Sequence, residues 1–451
     1  MNKQKPPFLY GFLCLAIALT SCSQLGFSNT PTSTSLPSPT IPPTRPATAE
    51  PTPTEAITQG TISIWHSLSE SETPALVQII KNFQPLYPNV YFDVLYVPEQ
   101  YLQERYITEA REGSGPNLLL APADWGPALY DAGSVANLMS LVQEDLLAAI
   151  SAPALEQGLF HGMLIGLPYS ISGVVLYRNK DILTLQADTF EELATFAQSS
   201  TQGEIVGAVL ERSFLYSGAH LIGIGGQLMD TNGNPLFNDI SGAAWVELLR
   251  SFSSAGAPTF LTDSDLQAFK EGRAGWIIDG TWNLAEITAA LGPEKVAIDP
   301  WPSFGAGRLS GFVMAQNLFI NSHTSDHQLD ATWKFIVHLL SAESQAYLAE
   351  VGRIPAVTGV QVPNTSQGAL ISQAVTALAG GTSYPILPVM DVYTTQLDAA
   401  LRLIFETGAT PLAALNDASN TVQINLTGLP VPTTIPITTP LTMTITLTPT
   451  P

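Results

Sequence analysis

Two stretches of the chain, TISIW at residues 61–65 and VYFDVLYV at residues 90–97, decide its fold class. Both are patterned as strands, and the apolar residues from Leu76 to Phe83 recur with the spacing of a helix. A second helix is predicted from Glu99 to Glu112, and residues 117–121 form an apolar run typical of a buried strand. This order predicts an α/β fold with a mostly parallel sheet, in which ligands bind at the carboxyl ends of the strands.

The middle of the chain continues the alternation of strands and helices. A Gly-Leu-Pro-Tyr turn at residues 166–169 leads into an apolar strand that ends in Leu-Tyr-Arg-Asn-Lys-Asp at residues 176–181. Residues 225–235 predict a hairpin between two short strands, followed by a helix from Gly242 to Ser254. An amphipathic stretch over residues 266–271 then runs into a buried strand and the sequence Asp-Gly-Thr-Trp.

The first 22 residues predict a lipoprotein signal. Lys3 and Lys5 precede an apolar stretch from Phe8 to Leu19, and the chain then reads Leu-Thr-Ser-Cys, which matches a bacterial lipobox ending at Cys22. The stretch is too short to span a bilayer, and small residues before a cysteine suit cleavage and lipidation. We therefore expect an extracytoplasmic mature chain that begins at Cys22 and is anchored to the cell membrane by its lipid. A plain secretory signal or an uncleaved anchor, in either case with a fortuitous cysteine, is the alternative.

Low-complexity segments flank the body of the chain. Residues 22–60 predict a tether, because residues 30–54 are almost entirely Thr, Pro and Ser and such a composition favours extended structure. The tail, residues 427–451, is also rich in Thr and Pro and is expected to be disordered. The apolar alternation at residues 441–447 makes an edge strand the alternative for the tail.

Composition limits the function classes. The formal net charge is -21, and loss of Lys3 and Lys5 with the signal makes it -23. Nucleic-acid binding is therefore not expected, because phosphate neutralisation needs clustered Lys and Arg. The two cysteines are Cys14, which lies within the signal, and Cys22, so the body has no disulfide or thiol chemistry.

Motifs for catalysis or metal binding fail in detail. His323 and His327 are four residues apart, but no Glu separates them as in a zinc protease. The sequence from Asp230 to Asn234 begins like a calcium loop, yet Pro235 stands where that loop needs Gly, and Ser241 stands where it needs Glu. No metal, cofactor or catalytic residue is predicted. A glycosidase remains an open alternative, because its paired carboxylates are spaced in three dimensions rather than along the chain.

Several short motifs occur in an order that resembles extracellular solute-binding proteins of the maltose-binding type, which feed sugar importers of the ATP-binding-cassette class. They are Trp-His-Ser at residues 65–67, Ala-Pro-Ala-Asp at 121–124, the two motifs at 166–169 and 176–181, Gly-Gly at 225–226, Phe-Lys-Glu-Gly-Arg-Ala at 269–274, Asp-Gly-Thr-Trp at 279–282, Gly-Arg-Ile-Pro at 352–355 and a helix over 394–405. Each motif is short and not specific by itself, but together the motifs cover nearly the whole body.

The resemblance implies a two-lobed periplasmic-binding-protein-like fold of type II, in which a hinge of crossing strands joins two α/β lobes that close on a ligand. The lobes are expected to divide the body as residues 61–169 plus 315–356 and residues 170–314 plus 357–426.

The strand crossings are expected near residues 170–174 and 310–315. Gly173 and Gly311 suit such a hinge because glycine tolerates changes of φ and ψ, although both also suit ordinary turns.

A sugar site needs aromatic plates for the apolar faces of the ring and planar polar groups for its hydroxyls. Candidate plates are Trp65, Trp125, Tyr169 and Trp282, candidate polar groups are His66, Asp124, Asp279 and Asn283, and Tyr216 and Tyr393 are further aromatic candidates.

The resemblance implies stacking of Trp282 on the sugar and hydrogen bonding by Asp124. This chain departs from the family's maltodextrin specialist at Trp125, where that protein has arginine, and at the candidate Ser172, where it has a hinge glutamate. These departures count against maltodextrin as the ligand.

Other candidates have a structural alternative. Trp276 lies within an apolar run and is expected in the core, whereas Trp301 is undecided. Asp279 either contacts ligand or caps a turn, and His66 is expected to be a polar loop residue near the cleft.

The sequence as a whole predicts a monomeric, lipid-anchored receptor that captures a sugar or oligosaccharide and delivers it to an ABC permease. A receptor of the same fold for a polyol phosphate or polyamine, and a surface carbohydrate-active enzyme, are the alternatives.

Overall fold

The computed structural model describes residues 57–428. The predicted signal, the lipidation site at Cys22, most of the tether and the tail beyond residue 428 lie outside this range. Between residues 57 and 428, no helix is both long and apolar enough to cross a membrane.

The described chain alternates strands and helices, as predicted. The strands are β1 (Gly60–His66), β2 (Val90–Tyr96), β3 (Leu118–Pro122), β4 (Leu159–Phe160), β5 (Met163–Leu164), β6 (Leu167–Asn179), β7 (Val206–Val209), β8 (Ala274–Gly280), β9 (Val296–Asp299), β10 (Ser303–Phe304), β11 (Gly307–Arg308), β12 (Phe312–Ile320), β13 (Ile354–Pro355) and β14 (Thr382–Ser383).

The helices alternate with these strands along the chain. They are α1 (Thr73–Phe83), α2 (Glu99–Arg111), α3 (Gly126–Asp131), α4 (Glu144–Ala149), α5 (Ala152–Leu155), α6 (Phe190–Ser200), α7 (Phe214–Gly223), α8 (Ile240–Ser251), α9 (Ser264–Lys270), α10 (Leu284–Leu291), α11 (Asp326–Leu339), α12 (Ala342–Glu350), α13 (Ser366–Ala379), α14 (Met390–Thr407) and α15 (Pro411–Gly428).

The first strand–helix units are confirmed. β1 pairs in parallel with both β2 and β3. The apolar face of α1 is buried through Leu76, Ile79 and Phe83, and the Phe83 ring packs edge-on against Phe335 of α11 at 5.3 Å. Burial of this face, rather than helix propensity, holds α1 on the sheet.

The sheet as a whole is mixed rather than mostly parallel. Its strand order is β2-β1-β3-β12-β6-β8-β7, and β12 runs antiparallel to both β3 and β6. β6 has 13 residues. Its first half pairs with β12 and its second half with β8 and β9. β6 is therefore shared by the two parts of the sheet, whereas the exact lobe boundaries stay a prediction.

At Gly173 and Gly311 the structure requires glycine for lack of space, and not for the freedom of φ and ψ that the sequence suggested. A Cβ atom on Gly173 would lie 2.3 Å from the Phe312 carbonyl oxygen, and one on Gly311 would lie 1.9 Å from the Val174 carbonyl oxygen. Glycine is needed here because the backbones approach too closely for any side chain.

Two local predictions need correction. Residues 225–235 form a turn closed by a single bridge between Met229 and Pro235 instead of two strands. The Asp230 carboxylate accepts hydrogen bonds from the backbone N–H groups of Asn232 and Asn234 and so stabilises this turn. The long helix α15 was not predicted, although its buried residues Ala414, Leu415, Ala418 and Val422 recur at helical spacing.

The core contains Trp276, for which burial was expected, and Trp301, which was undecided. Trp276 is buried, as expected, and Trp301 is buried with its ring 5.1 Å from the His220 ring. The Trp276 indole N–H donates to Asp299 at 2.9 Å, and the same carboxylate pairs with Arg178 at 2.7 Å. This network ties β6, β8 and β9 together inside the core.

Replacing Asp299 with alanine should lower the free energy of unfolding by about 3–5 kcal/mol, because it leaves the buried Arg178 guanidinium without a counter-charge. The midpoint of urea unfolding measures the loss. Asp181→Ala is the control, because its ion pair with Lys295 is exposed and should contribute little. Equal midpoints for the two variants would contradict the prediction.

Candidate functional site

The strand order brings the carboxyl ends of two groups of parallel strands together at the crossing. Pro122, at the end of β3, pairs with Gln316, and Gln316 also pairs with Ser170 of β6. Gly280, at the end of β8, pairs with Val174 of β6. The two groups of strand ends therefore face each other across the stretch of β6 from 170 to 174, which spans about 13 Å.

The crossing strands form the floor of this cleft. Ser172 pairs with Met314, and both side chains are partly exposed, as is Gln316 two residues further along β12. The predicted candidate Ser172 thus lies on the floor. Met314 and Gln316 were missed by the sequence reasoning, although the alternation of β12 marks them as facing away from the buried Val313 and Ala315.

Asp124 and Trp125 lie on the first side of the cleft, in a single turn of 3₁₀ helix that follows β3. The Asp124 side chain is exposed and Trp125 is partly exposed. The surrounding walls nevertheless remove part of the water around this carboxylate, which, together with the negative charges of Glu99 and Asp391, raises the pKa of Asp124 above its ordinary value. Asp391 lies in the first turn of α14, so the start of this helix contributes negative charge to the site.

Three of the predicted contacts on the first side are buried. Trp65 is only 6% exposed and packs beneath α2, where the Arg105 guanidinium lies 4.4 Å from the centre of its ring. Tyr169 is also buried, and Arg353 lies over its ring. His66 accepts a hydrogen bond from the Leu68 backbone N–H at 3.1 Å.

Trp65 and Tyr169 therefore have no free face for stacking in this conformation, contrary to the prediction. Burial and the nearby Arg353 charge lower the pKa of His66, which keeps the imidazole neutral. His66 thus fixes its own loop, as the structural alternative held, instead of facing the cleft.

On the second side, Trp282 is the most exposed predicted plate. Its side chain is 44% exposed and lies over Gly280, where a Cβ atom would be 1.9 Å from the indole. The Tyr216 ring lies 6.4 Å from the Trp282 ring. The structure therefore brings two predicted aromatic residues together at the carboxyl end of β8.

Asp279 is adjacent to these rings and nearly buried. Its carboxylate accepts hydrogen bonds from the Gly280 backbone N–H at 2.6 Å and from the Asn283 amide at 3.0 Å. Burial raises the pKa of Asp279 to about 6. Both interpretations of Asp279 thus find support, since it stabilises the turn that carries Trp282 and lies beside an aromatic surface.

Two tyrosines differ from the prediction. Tyr393 is fully buried, and its hydroxyl donates to the Gly233 carbonyl at 2.9 Å, so it belongs to the core. The partly exposed Tyr384 lies beside the floor of the cleft, because its backbone N–H donates to the Val313 carbonyl at 2.9 Å, next to Met314. Burial, with the charges of Asp391 and Asp124, raises its pKa. The Tyr-Pro pair after Ser383 was the only sequence signal for this aromatic.

The site suits hydrogen bonding better than catalysis by a metal. Within residues 57–428, no group of three or more His, Cys, Asp or Glu side chains is arranged to hold a metal ion. His323 and His327 are exposed at the start of α11, away from the crossing. The cleft instead offers aromatic rings, amides and carboxylates, the groups that a polyhydroxylated ligand requires.

Comparison with known proteins agrees with this architecture. The family model of bacterial extracellular solute-binding proteins matches residues 78–374. The maltotriose-binding protein of Pyrococcus abyssi is 24% identical over 296 residues, which are 61% of this chain and 62% of that protein. The galactooligosaccharide-binding protein of Bacillus subtilis is 24% identical over 330 residues, 69% of this chain and 77% of that protein. The chain thus spans less than two thirds of the first relative.

Solved structures establish the fold. A cyclo/maltodextrin-binding protein in complex with maltotetraose superposes with a TM-score of 0.73 at 20% identity, covering 83% of this chain and 99% of that chain. An extracellular solute-binding protein of Staphylococcus aureus in complex with maltose gives a TM-score of 0.71 at 19% identity, covering 81% and 98%. The two-lobed α/β fold expected from the sequence is confirmed. The chain belongs to the family of bacterial extracellular solute-binding proteins.

Proposed function

We propose that this protein is the substrate-binding component of an ABC importer and captures a sugar or oligosaccharide between its lobes. The observation that carries the proposal is the pair of the exposed Trp282 and the partly exposed Tyr216 at the carboxyl end of β8, beside the amide of Asn283 and the carboxylate of Asp279. An apolar plate next to planar polar groups complements the two surfaces of a pyranose ring. Relatives that bind maltotriose or galactooligosaccharide support a saccharide ligand.

The charge of the cleft disfavours a polyol phosphate. Asp124, Asp391 and Asp279 surround it, and the basic Arg353 is already paired with Glu72 at 2.9 Å. A phosphate would need unpaired basic groups or a row of backbone N–H donors. The charge does not exclude a polyamine, but the exposed indole is better explained by a sugar ring.

We further propose a monomeric receptor without catalytic activity, anchored outside the cytoplasm through lipidated Cys22 and tethered by residues 22–60. The family itself is extracellular, and one relative is a solute-binding lipoprotein of Streptococcus pneumoniae. Delivery to an ABC permease requires that the permease distinguish the closed, loaded form from the open form, which is possible only if both lobes contact the ligand.

Replacing Trp282 with alanine should weaken binding about ten- to hundredfold, since losing an aromatic face that is buried on binding costs about 1.5–3 kcal/mol. A thermal-shift screen of mono- and oligosaccharides selects the ligand, and calorimetry measures its affinity. Trp282→Phe should retain most of the affinity. Tyr91→Ala, on the amino end of edge strand β2, is the control and should change nothing. Unaltered affinity in Trp282→Ala would refute the assignment.

Gly280→Ala should impair binding without unfolding the protein, because the new Cβ would displace the exposed Trp282 indole while the φ of -83° at Gly280 suits alanine. Gly380→Ala is the matched control, since the nearest atom to its Cβ would be 3.9 Å away. Calorimetry and circular dichroism separate loss of affinity from loss of fold. Wild-type affinity in Gly280→Ala would show that the position of the indole does not matter.

Cys22→Ala should abolish incorporation of labelled fatty acid into the protein and release it from the membrane fraction, because the thioether can form only on this cysteine. Metabolic labelling in a bacterial host, followed by fractionation, measures both effects. Cys14→Ala is the control and should leave labelling intact. Label that persists in Cys22→Ala would contradict the proposed anchor.

A further inference from the structure

An acidic cavity of ≈ 200 Å³ lies at the carboxyl ends of β7 and β8. Its walls are formed by Glu211, Tyr216, Asp263, Asp265 and Asp279, together with apolar and hydroxyl groups of the loop from 261 to 266. Tyr216 also contacts Trp282, so the cavity adjoins the proposed sugar plate. No Lys, Arg or His is among the residues that line it.

The partners of the buried carboxylates are uncharged. Glu211 accepts hydrogen bonds from the backbone N–H groups of Arg212 and Ser213 and from the Thr259 hydroxyl. The Arg212 guanidinium turns away and donates to the Leu249 carbonyl. Asp279 is held by the neutral donors already described. None of Glu211, Asp265 and Asp279 forms a salt bridge in the described part of the chain.

Asp265 is the most exceptional of the three. It is only 4% exposed, it lines the acidic cavity, and no side chain in residues 57–428 donates a hydrogen bond to it. The backbone N–H groups of Asp265 and Leu266 lie beside it, whereas a carboxylate has acceptor sites for about four donors. Its remaining lone pairs are left for whatever occupies the cavity.

The electrostatic consequence is a raised pKa. Burial, aided by the negative charges of Glu211 and Asp279, raises the pKa of Asp265 to about 7. Buried carboxylates are normally paired with a cation, because an uncompensated charge in a poorly solvated site destabilises the fold. A cationic group of the ligand would supply the missing charge.

We propose that the acidic cavity binds the ammonium group of an amino-sugar unit while Trp282 stacks on the ring of the same ligand. The inference rests on the proposed function and narrows its ligand class. The Tyr216 ring provides a wall suited to an ammonium group, which is attracted to aromatic faces. A neutral hydroxyl would satisfy a hydrogen bond of Asp265 but would leave the charge uncompensated.

A metal ion fits the acidic cavity less well. Glu211 already uses its oxygens to accept from backbone and hydroxyl donors, and no group of three or more potential ligands in residues 57–428 has metal-binding geometry. An ammonium group needs only hydrogen-bond acceptors around it, and it demands no fixed coordination geometry.

Binding of matched sugars tests the proposal. Glucosamine and galactosamine are each compared with glucose and galactose by calorimetry at about pH 7, with spermidine as a non-sugar amine. At least one amino sugar should bind about ten- to hundredfold more tightly than its neutral partner, since a hydrogen bond to a charged group contributes about that factor. Asp265→Asn should remove this preference.

The control is Glu204→Gln. It makes the same change of charge on the same part of the protein, but the exposed Glu204 precedes β7 and lies at the opposite end of that strand from the acidic cavity. The preference should persist in this variant. It should also grow as pH rises from about 5 to 7, because Asp279 and Asp265 lose their protons in this range while Glu211 and Asp263 face the same space.

The outcomes distinguish the two proposals. If a neutral sugar binds as tightly as its amino counterpart, the inference is wrong and the proposed function stands. If no sugar binds but spermidine does, the proposed function is wrong, and so is the amino-sugar assignment. A preference for amines that survives in Asp265→Asn would overturn the role of the acidic cavity.

Stability provides a test without any ligand. The pKa of Asp265 is raised in the folded state, so its ionisation destabilises the fold. This destabilisation is absent at low pH and grows as pH rises from about 4 to 7. Asp265→Asn should therefore increase Tm at pH 8 and leave it unchanged at about pH 3, whereas Glu204→Gln should match the wild type at both. An unchanged Tm at pH 8 would show that Asp265 is not an uncompensated buried charge.

Discussion

Pairing between β6 and β12 is the constraint on which the rest of this structure depends. Each strand must satisfy its backbone hydrogen bonds with different neighbours along its length, so the two parts of the sheet share a continuous ladder. Gln157 reinforces it, since its side-chain oxygen accepts from the Ala315 N–H and its backbone oxygen accepts from the Asn317 amide. The close approach at Gly173 and Gly311 fixes the register. Because this ladder sets where strand ends meet, it also sets the width of the cleft.

The cleft illustrates how binding proteins retain groups that cost stability. Asp265 and Asp279 are buried without a cation, although the core pair of Arg178 and Asp299 shows that the same fold compensates buried charge elsewhere. The difference lies in the neighbours, since the Arg178 guanidinium neutralises Asp299, whereas no Lys, Arg or His is among the residues that line the acidic cavity. A carboxylate that lacks hydrogen-bond donors beside a cavity can accept them from a ligand. The stability lost in the free protein is then recovered as binding free energy in the complex.

Several site residues were predictable because their surroundings are local. Trp282 follows directly on a strand and a glycine, and Asp124 follows β3, so local sequence is enough to place both at strand ends. Three other predicted aromatic residues also lie at strand ends or near a helix start, but other segments cover them. Helix α2 covers Trp65, Arg353 covers Tyr169, and the turn at Gly233 covers Tyr393. Cover by a distant segment leaves no local trace. Asp265 and Tyr384 were not predicted, because their positions beside a cavity or the cleft depend on segments that are distant in the chain.

The sequence by itself determined the α/β class, most of the succession of strands and helices, the resemblance to solute-binding proteins and the presence of Trp276 in the core. These follow from the spacing of apolar residues and the order of motifs, which are local properties. Only the tertiary structure decided the antiparallel placement of β12, which residues face the cleft and which carboxylates lack a counter-charge. Strand pairing and burial join residues that are far apart in the chain, so exposure and pKa depend on neighbours that no local pattern can specify.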